Sequence, residues 1–152
     1  MPDYLSLFVR SGALSTGHNK YIASQLVSLN DYTVQHGIVL SQKDCNEIAQ
    51  VRAELLIENE RIEMGVGAAQ RIIEEFCDSG YVDQHTFKDT VEELLECFYT
   101  IKKETDDKVD DETVINFLKF AFEATGGDVS KIYMLDIFDN YIRKINSDKD
   151  KK

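Results

Sequence analysis

The sequence predicts an all-α fold, a single-domain bundle of five to seven helices. Apolar residues recur at helical spacing through most of the 152-residue chain. The one proline is Pro2, so no interior position carries a proline break. Cap-forming residues punctuate the chain at intervals that suit helix ends. Only residues 4–9, YLSLFV, alternate with period two. An apolar share of 43% is too rich for a disordered chain, and the length suits one domain with a real core. The domain is read as residues 1–146, with 147–152 as a polar tail.

In chain order, residues 12–19 read as a loop and 20–29 as a helix. Asn30 caps a short turn that Gly37 closes. Ser41 is placed as an N-cap with Asp44 three residues on, a capping box for a helix over 42–64. On that helix Cys45, Ile48, Arg52, Leu55 and Ile62 fall on one line. Gly65 and Gly67 interrupt it, and residues 68–77 make the next helix. Asp83 caps a helix over 84–104 whose stripe is Phe87, Val91, Leu94, Phe98 and Ile101. Glu92 and Glu96 lie opposite that stripe, towards solvent. Asp110 caps the following helix, and Gly126 or Gly127 supplies its left-handed end. Asp128 caps the last helix, over 129–145.

The formal net charge is -11. That field repels a phosphate backbone and argues against ordinary nucleic-acid binding; an acidic mimic of nucleic acid stays open, and charge that keeps the chain soluble is the simpler reading. The first residues carry Asp3 where a leader needs basic residues, so no leader is expected. No stretch approaches the ~18 apolar residues of a membrane span. Cys45, Cys77 and Cys97 are odd in number and form no CxxC pair, which suggests a reducing cytoplasm.

The densest acidic run lies between residues 96 and 114. Its charges are placed as two helix ends require: Lys102 and Lys103 in a last turn, Asp111 and Glu112 in a first turn. It lacks the pattern and the glycine of a calcium hand, so no metal is assigned. GVGAA offers two glycines before a helix, but the third glycine and the preceding strand of a phosphate loop are missing. Close backbone approach at a helix junction is the simpler reading. His18, His36 and His85 form neither HExxH nor paired ExxH. The cysteines lie on or beside apolar faces, as inert buried thiols do. No catalytic residue and no cofactor are assigned. Candidate binding groups are Glu58, Arg61 and Glu63, near the glycine junction.

The helix over 112–125 is apolar nearly all round, and the last helix has a broad apolar face. Such helices are buried centrally or by a partner. Phe117, Phe120, Met134, Phe138 and Tyr141 are the candidate interface.

Four stretches taken in order, LNDYTVQHGIVLSQKD, RAELLIENERIEMG, FCDSGYV and LLECFYTIKKETDDKVDDETV, resemble a bacterial family of unknown function common in Gram-positive anaerobes. The resemblance covers most of Leu29 to Tyr141. Its most specific part is FYxxKxE, here Phe98, Tyr99, Lys102 and Glu104; Lys103 stands where the family has asparagine. It implies a cytoplasmic bacterial protein and brings no catalytic residues. Tyr99, Lys102 and Glu104 become further candidate binding groups, with ordinary polar groups at a helix end as the alternative.

Three functional readings follow. The first is a protein-interaction module, most simply a homodimer. The second is a small-molecule binder or enzyme with an inter-helix pocket near Glu58, Arg61, Tyr99, Lys102 and Glu104. The third is the acidic mimic.

Overall fold

The computed structural model describes residues 16–150 apart from Met64 and Leu135; the side chains at 16, 133–138 and 148–150 also lie outside that description. Among the described residues there are six helices and no strand: α1 (Thr16–Ser28), α2 (Gln42–Glu58), α3 (Ala68–Phe76), α4 (Phe87–Glu104), α5 (Asp111–Ala124) and α6 (Asp136–Asp150). A single turn, Asn30–Thr33, runs on into a 3-10 turn at Val34–His36, and a second 3-10 run spans Val129–Met134. The segment 4–9 lies outside the described residues.

Local chemistry sets most boundaries. Ser41 Oγ accepts from the Asp44 N–H at 3.0 Å, and the Asp44 carboxylate accepts from the Ser41 N–H at 3.3 Å. This reciprocal box satisfies two donors that the helix leaves open. Asp110 accepts from the Thr113 N–H at 2.8 Å and starts α5. That helix ends through Gly126 and Gly127, both at positive φ, with the Gly127 N–H on the Phe122 carbonyl at 2.8 Å. A Cβ on Gly127 would meet the Tyr81 Cβ at 2.5 Å, so this close approach admits only glycine.

Several ends differ from the sequence expectation. Helix α1 begins at Thr16, inside the expected loop. Asn30 is no cap: its side-chain amide donates to the Leu40 carbonyl and accepts from the Leu40 N–H, both at 2.8 Å. It clamps the chain ten residues on. The apolar spacing carries α2 on to Met64, but the chain leaves the helix at Glu58. Glu60 turns left-handed, the Arg61 N–H returns to the Leu56 carbonyl at 2.8 Å, and Ile62 stands 59% exposed. Asp83 accepts from the N–H groups of His85 and Thr86, a turn ahead of α4, which starts only at Phe87. Asp128 opens the 3-10 run and not the α-helix, and α6 continues through the polar residues 147–150 to Asp150.

Helix α4 packs on α2, α3, α5 and the second 3-10 run. Contact on several sides widens its buried face beyond the stripe: Leu95, Cys97, Tyr99 and Lys102 are buried with it. Helix α5 buries Val114, Ile115, Phe117, Leu118, Ala121 and Phe122 inside the chain. Phe76 and Phe122 meet edge to face with centroids 5.3 Å apart, a geometry that adds about 1 kcal/mol to simple burial.

Candidate functional site

Two places on the α2–α4 pair gather polar chemistry. The first is a corner covered by the segments that follow these helices, 59–67 after α2 and 105–110 after α4. Arg52, on α2, is 1% exposed. Its Nε donates to the Val66 carbonyl at 3.1 Å and its Nη2 to the Gly65 carbonyl. The same guanidinium lies 3.6 Å from Glu63 Oε1. The Tyr99 hydroxyl, on α4, donates to that carboxylate oxygen at 2.7 Å. Arg61 pairs with Asp107 and lies over the Tyr99 ring, 5.7 Å from its centroid. Lys102 is buried; its Nζ donates to the Val109 carbonyl at 2.6 Å and pairs with Asp111 at 2.8 Å and Asp107 at 3.7 Å. Thr105 Oγ1, also buried, donates to the Ile101 carbonyl at 2.8 Å.

The corner is balanced: three cations face Glu63, Asp107 and Asp111. Burial raises the Glu63 carboxyl above the ordinary glutamate range, against the pull of the Tyr99 hydrogen bond and of Arg52 and Arg61. Burial and then the nearby Glu63 charge push the Tyr99 hydroxyl well up, so it stays a donor. Gly67, at φ +65°, is the other tight place: a Cβ there would meet Glu63 Oε1 at 2.5 Å. The close approach at the glycine junction is thus to an acidic side chain.

The structure brings Arg61, Glu63, Tyr99 and Lys102 into one network and leaves Glu58 and Glu104 exposed outside it. Tyr99 and Lys102 are not surface groups, and their polar heads are taken up by other parts of the chain. Sequence reasoning missed Arg52. Its signal was its position, a cation on an otherwise apolar line.

The second place is a groove of about 420 Å³ lined by Val51 and Leu55 of α2 and by Asp89, Glu92, Glu93 and Glu96 of α4. The four carboxylates recur at i, i+3, i+4 and i+7, so one helix face carries them. Glu92 is half-buried, not solvated as its position opposite the stripe suggests, because α2 stands beside it. Lys88 answers part of the charge, at 2.7 Å from Glu47, 3.1 Å from Asp89 and 3.3 Å from Glu92. Burial raises the carboxyls of Glu92 and Glu93 above their ordinary values.

Of the candidate interface residues, Phe117 is buried and stacks on Tyr141 with centroids 4.1 Å apart. Phe120 is 59% exposed. The side chains of Met134 and Phe138 lie outside the described residues. All three cysteines are buried and none forms a disulfide, and burial, aided by Asp44, pushes the Cys45 thiol up to about 11.

These elements define an all-helical protein with a buried ionic corner and an open acidic groove. No helix among the described residues is long and apolar enough to cross a membrane. The chain belongs to DUF6323, a family of unknown function whose pattern matches residues 25–150. No curated protein and no solved structure matches the chain.

Proposed function

We propose that this chain is a single-domain protein-interaction module that takes a cationic segment of a partner into the groove between α2 and α4. The groove itself carries the reading. Val51 and Leu55 offer apolar surface, and Asp89, Glu92, Glu93 and Glu96 line the remainder. A helical segment bearing lysine or arginine fits this chemistry: its aliphatic stems lie on Val51 and Leu55 while its charged heads reach the carboxylates. The net charge of -11 draws such a partner in. Three cysteines without a disulfide support a reducing, cytoplasmic setting.

The test is calorimetric titration with a synthetic amphipathic Lys/Leu helix, for the native protein and for the triple variant Glu92→Gln, Glu93→Gln, Glu96→Gln. Native binding that weakens with salt, and a loss of about tenfold or more in the variant, supports the groove. Equal affinity for both proteins discards it.

A second reading, self-association through the C-terminal face, is favoured by the exposed Phe120 ring. Native mass spectrometry decides it. A dimer that Phe120→Ser converts to monomer supports this reading; a monomer at high concentration removes it.

A further inference from the structure

We infer that the segments 59–67 and 105–110 form one latch over the buried cations of α2 and α4, clasped by Arg61 and Asp107 and built to open as a unit. Backbone conformation is the first observation. Among the described non-glycine residues, positive φ occurs at Glu60, Asp106 and Asp107, and all three lie in these two segments. Side chains rarely adopt that region, and such strain persists only where the surroundings over-determine it. The two segments also end their helices alike. The Arg61 N–H returns to the Leu56 carbonyl and the Asp107 N–H to the Lys102 carbonyl, each at 2.8 Å.

The second observation is how the segments are held. In 59–67 the one buried side chain among the described residues is Val66; in 105–110 they are Thr105 and Val109. The other ties are polar: Arg52 to the carbonyls of Gly65 and Val66, Tyr99 to Glu63, Lys102 to the Val109 carbonyl and to Asp107. Segments with little apolar anchorage open at low free energy. The third observation joins them. Arg61 of one segment pairs with Asp107 of the other, and Asp107 also faces Lys102. The Arg61 Nε is buried without a hydrogen-bond partner, so the clasp is incompletely satisfied. Opening bares Arg52, Tyr99 and Lys102 together.

The experiment is amide hydrogen exchange, reading each substitution in the segment that does not carry it. Asp107→Asn is read at the amides of Glu60 and Arg61; Arg61→Gln is read at Asp107 and Lys108. A coupled latch gives faster exchange in the opposite segment in both variants, by about threefold, beyond any change at the core amides of α4. Arg61→Lys, which keeps the charge, recovers part of the protection at Asp107 and Lys108. Acceleration confined to the substituted segment, or matched by the α4 core, overturns the proposal. Both substituted side chains are partly exposed, so the fold tolerates their loss.

Discussion

Arg52 and Lys102 hold the two segments after α2 and α4 in different ways. Arg52 uses a planar fork: one guanidinium, itself buried, reaches two carbonyls and stands beside Glu63, whose side chain is 11% exposed. Lys102 uses a point charge: one carbonyl, then Asp107 and Asp111, whose side chains are more than half exposed. The same task is thus done once in low dielectric and once at the edge of solvent. The depth of the partner decides what each cation contributes, because a carboxylate that can return to water loses little when its cation is removed.

The largest expected effect follows from that difference. Arg52→Met leaves Glu63 covered without its α2 partner and should cost about 3 kcal/mol of stability in urea denaturation. Lys102→Met lets Asp107 and Asp111 rehydrate and should cost only about 1.5 kcal/mol. Equal losses would break the comparison. Arg52→Lys sharpens it: a lysine cannot span two carbonyls, so about 1.5 kcal/mol should be lost with the charge retained. Tyr99→Phe removes one hydrogen bond to Glu63 and should cost about 1 kcal/mol by the same measurement.

The smallest effect is a pH dependence. The folded-state pKa of Glu63 is raised, so the folded protein holds that proton more tightly than the unfolded chain. The contribution is fully present below the ordinary glutamate pKa and is lost as pH rises through the folded value. Subtracting the stability–pH curve of Glu63→Gln should leave a component that declines upward from the ordinary glutamate pKa of 4.5. A component that rises over that window would mean that the two arginines outweigh burial.

Features that depend on neighbours in sequence were legible in it. Ser41 with Asp44, Gly37, Asp110 and the Gly126–Gly127 end act where their spacing places them, since a cap needs only the next few residues. The central burial of α4 was half legible. Its apolar stripe shows one face, and the packing of several partners supplies the others. Arg52 was illegible as a tie because its acceptors are carbonyls thirteen and fourteen residues away, and a carbonyl carries no residue identity. Ile62 misled for a related reason. It keeps the helical spacing, but Glu60 has already turned the chain. Of the groove the sequence shows only Glu92 and Glu96 on the side away from the stripe, because the other wall comes from α2.

The three buried thiols give the molecule an internal clock. Cys45, Cys77 and Cys97 sit on α2, at the end of α3 and on α4, so no one of them can meet a reagent while its own part of the core stays packed. With the Cys45 thiol pushed up to about 11, its nucleophilic thiolate is scarce at neutral pH until the chain unfolds. Alkylation therefore counts openings. Uptake of three labels in a single step reports global unfolding, and a staggered uptake reports which part of the bundle loosens first.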